Sequence, residues 1–206
     1  MEVLEIAPGF WLWSAPHPNW RGAAHWPEDV NCVYYEAPDA TVLVDPLVPA
    51  GAEAKFWNAL DRDVERAERP VFILLTAPWH KRSVPIVAER YGATVWAHAA
   101  GHDRLSYPAE PGPLPAGVET FVPEGPGEGE VAFFFRAHKA LFVAEFFMGI
   151  DGGLSLRVSP ALRDRKAFAD SLRGLLDLPV ERVIVSHGEP VLLDGGRKIE
   201  EALVRG

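Results

Sequence analysis

The sequence predicts a mixed α/β protein in four layers, two β-sheets packed face to face with helices on both outer faces (αββα). Three observations predict it. Each half of the chain runs from a strand meander through a helix to a short apolar strand. The run Val71-Phe72-Ile73-Leu74-Leu75-Thr76 is continuously apolar up to its threonine, and Val183-Ile184-Val185 repeats the pattern, as strands buried on both faces do. The helical segments carry apolar residues at three- and four-residue spacing. The halves share no residue-level repeat, so their symmetry is one of element order alone.

Short strands come first, at Val3–Ile6, Phe10–Trp13, Asn31–Glu36 and Thr41–Asp45. Ala37-Pro38-Asp39-Ala40 turns the last two into a hairpin. A helix follows, with Phe56, Trp57, Leu60, Val64 and Ala67 on one face and Asp61, Asp63, Glu65 and Arg66 on the other. After the strand at Val71–Thr76, Ser83 can cap a short helix that Gly92 closes, with Pro85 in its first turn. Thr94–Ala97 reads as a strand. Tyr107–Pro126 is rich in Pro and Gly and reads as a surface loop holding a strand at Thr120–Val122. Val131–Arg136 and Ala140–Glu145 form a hairpin through His138-Lys139. Ser159-Pro160 opens a helix bearing Phe168, Leu172 and Leu175. Val183–Ser186 is a buried strand, and Ile199, Ala202 and Leu203 mark a last helix.

Composition bounds the partners. The 206 residues suffice for one domain with a sizeable core, and we read 1–206 as a single unit. The net charge of −9 argues against nucleic acid and anionic membranes, both of which require a basic surface. No apolar run approaches a bilayer-spanning length. The start, Met1-Glu2-Val3-Leu4-Glu5, is unlike a signal peptide, so a cytoplasmic location is expected. Cys32 is the only cysteine, which excludes an internal disulfide and a thiolate zinc cage; within an apolar strand it reads as a buried, inert thiol. Glutamine is absent and prolines number 19, a bias that fits a thermophilic source or a GC-rich genome. A small-molecule ligand and a homo-oligomer are the partners this leaves open.

Four predicted strands end in polar groups: Asp45 after Val42-Leu43-Val44, Thr76 before Ala77-Pro78-Trp79-His80-Lys81-Arg82-Ser83, Glu145 after Phe142-Val143-Ala144, and Ser186-His187-Gly188 after Val185. An acid at one strand end is ordinarily a turn former. Four such ends are more informative, because sites in helix-flanked sheets lie where apolar strands end.

The order strand–Asp, helix, strand–Thr, hairpin ending in an acid, strand–His-Gly resembles the metallo-β-lactamase superfamily, which includes hydroxyacylglutathione hydrolases and ribonuclease Z-type nucleases. The resemblance spans Ile6-Ala7-Pro8-Gly9 to Ser186-His187-Gly188. It implies the αββα fold, a role for Asp45 in supporting metal ligands from behind, and a metal signature His-x-His-x-Asp-His after Thr76. Here the sequence departs from the family. The signature positions hold Ala77, Trp79, Lys81 and Arg82; a register shifted by one keeps His80 but places Pro78, Arg82 and Ser83 at the others. Neither set provides a dinuclear zinc site, since alanine and indole offer zinc no lone pair and Lys81 and Arg82 bring positive charge. By the same resemblance, Glu128 replaces a histidine in Pro126-Gly127-Glu128, Glu145 replaces the bridging aspartate, and His187 is retained.

The pocket expected from this is Asp45, Trp79, His80, Lys81, Arg82, Glu128, Glu145 and His187. No cofactor is expected; the alternative is one divalent ion, zinc or another, on His80, Glu128, Glu145 and His187. Lys81 and Arg82 can instead pair with the carboxylates, or be solvated loop charges. His80 can equally cap the short helix, Glu128 can be a solvated turn acid, and His187 can serve a structural hydrogen bond. The pair His98 and His102 lacks a supporting glutamate and is a weak zinc pattern. Trp11, Trp13, Trp20 and Trp26, with His17 and His25 nearby, can line a ligand pocket, form a subunit contact, or fill a satellite core. Three functions stay open: a non-hydrolytic or ligand-binding protein without a dinuclear site, a hydrolase using one metal or none through His187 and the carboxylates, and an interaction protein using the aromatic N-terminal surface.

Overall fold

A computed structural model describes residues 2–22, 26–125, 129–157 and 165–205. Its first sheet contains, in order, β1 (Glu2–Ala7), β2 (Phe10–Pro16), β3 (Asp29–Glu36), β4 (Thr41–Val44), β5 (Val71–Leu74) and β6 (Thr94–Trp96). The first four pair antiparallel, and β4, β5 and β6 run parallel. Helices α1 (Glu53–Ala67) and α2 (Val84–Tyr91) supply the crossovers between the parallel strands. The second sheet contains β7 (Val118–Phe121), β8 (Ala132–Phe135) and β9 (Ala140–Val143). A separate hairpin, β10 (Phe147–Ile150) and β11 (Gly153–Leu156), follows. Then come α3 (Arg165–Ser171), β12 (Arg182–Val185) and α4 (Gly195–Arg205). Strand β12 returns parallel to β9 and completes the order β12-β9-β8-β7.

Period-two alternation sorts the strand residues into three buried layers. Val33, Tyr35, Val42, Val44 and Leu74 meet Phe133, Phe135, Phe142 and Ile184 between the sheets. The opposite faces turn outward. Cys32, Tyr34, Leu43 and Ile73 pack under Phe56 and Leu60 of α1 and Val84 and Val87 of α2. Phe134, Leu141 and Val185 pack under Phe168, Ile199 and Leu203. These three clusters define the four layers. Each fully buried phenylalanine of β8 contributes roughly 1.5–3 kcal/mol of hydrophobic stabilisation.

Several local expectations need correction. Ser83 stands at the N-cap position of α2 but makes no capping hydrogen bond; its Oγ accepts from Val48 N (2.9 Å), tying the segment after β4 to the start of α2. The sequence pattern predicts neither the hairpin β10–β11 nor a 3-10 turn at Ala99–Arg104. These strands are short and of mixed burial, with Leu154 buried and Ile150 exposed, so they carry little apolar periodicity. The expected helix start at Ser159-Pro160 lies outside the described residues. Among the described residues, no helix is long and apolar enough to cross a membrane.

Candidate functional site

The parallel pairings bring strand C-termini together. In the first sheet Val44 is level with Leu74, so Asp45 and Thr76 emerge side by side. In the second Val185 is level with Val143, and Ser186 N–H donates to Val143 O (3.0 Å), so Glu145 and His187 emerge as neighbours. Asn31 fastens the two sheets at this end. Its backbone N–H donates to Ser186 O (3.0 Å), and its side-chain amide donates to Val185 O (2.7 Å) and Gly188 O (2.8 Å). Gly188 has φ +89 and passes so close to Gly149 that an added Cβ would lie 2.2 Å from the Gly149 carbonyl oxygen. Only glycine fits both constraints, and the crossing sets the direction in which His187 leaves its strand.

The turn after β5 explains which side chain enters the mouth. Ala77-Pro78-Trp79-His80 is closed by a hydrogen bond from His80 N to Ala77 O (3.0 Å), with proline at the second position, where its fixed φ suits a turn. The turn sends Trp79 outward, 42% exposed beneath the Arg104 guanidinium, and returns His80 inward, 5% exposed. Trp79 therefore does not occupy the pocket expected of it.

His80 bridges two acids. Its Nδ1 lies 2.8 Å from Asp45 Oδ2, and its Nε2 lies 3.3 Å from Glu145 Oε1. The same Glu145 oxygen lies 3.0 Å from His187 Nε2. Thr76 donates to Asp45 through both its backbone N–H (3.0 Å) and its hydroxyl. Asp45 is fully buried and has φ +46, in the left-handed region that aspartate tolerates better than most residues. One ligand atom each from His80, Glu145 and His187 lie within 4.8 Å of one another.

The cations are placed differently from expectation. Among the described residues, Arg82 forms no ion pair with a carboxylate. Its Nη1 donates to Asn31 O (2.8 Å) and Asp45 O (2.9 Å), and its Nη2 donates to Ser186 Oγ (2.6 Å). The planar fork suits main-chain oxygens that the ends of β3 and β4 leave without strand partners. Lys81 is half-buried and makes no ion pair with an acid among the described residues. Arg157, which the sequence does not single out, supplies the charge. Its Nη1 lies 2.7 Å from Glu145 Oε2, an ion pair without hydrogen-bond alignment. Arg157 follows β11, itself unpredicted, so no sequence signal pointed to it. Glu128 lies outside the described residues.

The electrostatics follow from burial and pairing. Burial disfavours the Asp45 carboxylate, but the charge and hydrogen bond of His80 outweigh it and hold the pKa below the usual value. Burial also works against the His80 imidazolium; Asp45 and Glu145 prevail and raise its pKa. For Glu145, burial is outweighed by hydrogen bonds to His187 and His80, and the carboxyl is held well below its ordinary range. Burial lowers His187, only partly offset by Glu145. Cys32 is pushed up to about 11, chiefly by burial, as an inert thiol should be.

Glu130 is a second buried acid that the sequence does not single out. It is 4% exposed, and its Oε1 accepts from Glu145 N (2.8 Å). Burial, reinforced by the neighbouring Glu145 charge, raises its pKa from 4.5 to about 7. The folded state therefore binds more protons than the unfolded state between those values, and stability falls as pH rises through them. Relative to wild type, Glu130→Gln should gain about 3 kcal/mol between pH 4.5 and pH 7.5. Urea denaturation of both proteins across that range checks this; a difference that does not change with pH would show that Glu130 ionises normally.

The aromatic N-terminal segment divides. Trp13 is buried under α1 and donates to Leu47 O (2.9 Å), and Trp11 packs on Tyr34. Trp26 instead stands against His187 (5.1 Å between ring centres) and His17 (5.2 Å). His17 is held down at about pKa 4 by burial and then by the charges of Arg82, His80 and His187. Trp13 belongs to the core cluster under α1 and α2, Trp11 and Trp26 pack against that cluster, and Trp20 Nε1 donates to Trp26 O (3.0 Å). His25 lies outside the described residues. His98 and His102 serve local structure: His98 Nδ1 accepts from Ala100 N, and His102 Nε2 lies 2.9 Å from Ala97 O.

This arrangement of layers and strand ends is shared with solved structures. A metallo-β-lactamase from Pontibacter korlensis superposes with a TM-score of 0.73 at 15% identity, covering 100% of this chain and 99% of that one. DIM-1 metallo-β-lactamase matches at 0.71 and 13% identity, covering 99% of this chain and 96% of that one. A metallo-β-lactamase family protein from Thermus thermophilus matches at 0.65 and 19% identity, covering 98% of this chain and 80% of that one. No family model matches the sequence, and no curated protein sequence does. The chain has the metallo-β-lactamase fold, in its four-layer αββα form.

Proposed function

We propose that this protein is a metallo-β-lactamase-fold member that works without a dinuclear zinc site and binds a small molecule without hydrolysing it. The observation that carries this reading is the internal charge compensation of the mouth: His80 sits between Asp45 and Glu145, and Arg157 covers the other Glu145 oxygen. The residues present do not fit two zinc ions. Ala77 is buried and offers no ligand atom, Trp79 points outward, and Arg82 is spent on main-chain oxygens. His187 adds to the argument. A metal-bound histidine ordinarily donates its other ring N–H to an acceptor. Among the described residues His187 Nδ1 is buried without a hydrogen-bond partner, which favours the tautomer whose Nε2–H donates to Glu145.

Purified protein is therefore expected to carry fewer than two zinc ions per chain, and added zinc should barely move its melting temperature. A ligand present at a hundredfold its Kd would contribute about 2.7 kcal/mol, a rise of roughly 5–10 °C for a chain of this size. Elemental analysis finding two tightly held ions would defeat the reading.

A second reading has an observation of its own. His80, Glu145 and His187 converge, and Asp45 orients His80 from behind, an arrangement that suits one divalent ion. Such an ion would lower the pKa of a bound water and polarise a substrate carbonyl, making the protein a one-metal hydrolase. A single ion per chain with a large zinc-induced rise in melting temperature would favour it.

A further inference from the structure

We propose that Arg157 is a gate on a latent site for one divalent transition ion formed by His80, Glu145 and His187. The inference rests on the metal-independent reading of the resting site. Three donors of the right chemistry converge, two imidazoles and one carboxylate, with their ligand atoms within 4.8 Å of one another. One of the imidazoles already has the carboxylate support that oriented metal ligands have, from Asp45 at 2.8 Å. The ligand set suits zinc, cobalt or iron(II) better than magnesium or calcium, which prefer oxygen donors alone.

What stands against occupancy is the guanidinium. Arg157 places its charge 2.7 Å from Glu145 Oε2, so an arriving dication meets a like charge and a carboxylate that is already paired. His80 and His187 are buried, whereas the side chains of Arg157 and Glu145 are 27% and 26% exposed. The exposed side of the cluster is therefore the ion pair itself, and an ion entering there must displace the guanidinium. Arg157 follows the hairpin β10–β11, its main-chain N–H is anchored on Phe146 O (2.9 Å), and its partly exposed side chain meets Glu145 through a buried Nη1 that makes no hydrogen bond among the described residues, so the ion pair is the one contact to be exchanged. A bound molecule carrying a carboxylate or phosphate could draw the guanidinium away, which would couple ligand binding to metal uptake at the same mouth.

Cobalt(II) is the probe, because its d–d absorption reports coordination independently of any activity. Metal-stripped wild type and Arg157→Gln are titrated with Co2+ and followed by absorption and calorimetry. Removing one positive charge beside the cluster should tighten Co2+ binding by roughly 10- to 100-fold and produce d–d bands that the wild type lacks at the same concentration. Arg157→Lys keeps the charge and should stay within about threefold of wild type. His187→Ala in the Arg157→Gln background should abolish the gain. Cooperative melting of each variant establishes that it is folded, and Arg157→Met replaces Arg157→Gln if the latter is not. Equal, tight binding by wild type and the neutral variant would overturn the gate and the metal-independent reading together. No binding by either, with both folded, would overturn the gate alone and leave that reading standing.

Discussion

Asp45→Ala is expected to destabilise the protein by about 3–5 kcal/mol, the cost of leaving a buried charge without its partner. Asp45 is fully buried, and its carboxylate receives the Thr76 N–H, the Thr76 hydroxyl and the His80 ring. Without it, His80 at 5% exposure must lose its proton or stand uncompensated, and Thr76 N–H loses its acceptor. The effect depends on pH in a stated direction. Asp45 has a lowered pKa, so its contribution is present above 3.8 and lost as pH falls through the folded value. His80 has a raised pKa, so its contribution is present below 6.5 and lost as pH rises through the folded value. The penalty should therefore be largest between about pH 4 and 6.5, where both groups are charged in both states. Denaturant melts at pH 6 measure it. The double variant Asp45→Ala with His80→Leu should lose less than the two single losses combined, because no orphaned imidazolium remains. A loss below about 1 kcal/mol in Asp45→Ala would show that water replaces the carboxylate without cost.

Arg82→Ala is expected to cost about 3 kcal/mol, comparable to the loss of a buried charged partner. The mechanism differs from the one the sequence suggested. Among the described residues Arg82 forms no ion pair with a carboxylate; it donates to the Asn31 and Asp45 carbonyls in the first sheet and to Ser186 Oγ in the second. Hydrogen bonds involving a charged group contribute about 1.5–3 kcal/mol each, and removing the side chain leaves the carbonyls without these donors. Arg82 also has φ +35, a conformation that survives only where the surroundings impose it. Arg82→Lys should recover less than half of the loss, because an ammonium cannot span both sheets with one planar group. Thermal and urea melts decide the matter, and an unchanged midpoint in Arg82→Ala would mark the residue as a solvated loop charge.

The buried strands were legible because burial imposes a period that the sequence must carry. Tyr34-Tyr35, Leu43-Val44 and Phe133-Phe134 each send neighbours into different layers. The site was legible only as a set of strand ends. Asp45, Glu145 and His187 follow apolar runs, and parallel pairing sets Asp45 beside Thr76 in one sheet and Glu145 beside His187 in the other, while the packing of the sheets and the Asn31 links bring the two pairs to one mouth. His80 could not be separated from Trp79 by sequence, since a single turn closed by His80 N and Ala77 O decides which one points inward.

Charge pairing was the part least visible along the chain. Lys81 and Arg82 adjoin the site in sequence, whereas the guanidinium that reaches Glu145 comes from Arg157, twelve positions further along and beyond a hairpin with little periodicity. Asn31 and Glu130 are equally mute as letters in a strand and a loop, yet one fastens the sheets and the other holds Glu145 N. The amino-acid sequence by itself determined the layers, the strand ends and the lack of a His-x-His-x-Asp-His signature after Thr76, because these depend on local pattern and residue chemistry. Only the tertiary structure decided which cation meets which acid, because a long side chain finds its partner across space, and that distance is set by the packing of two sheets.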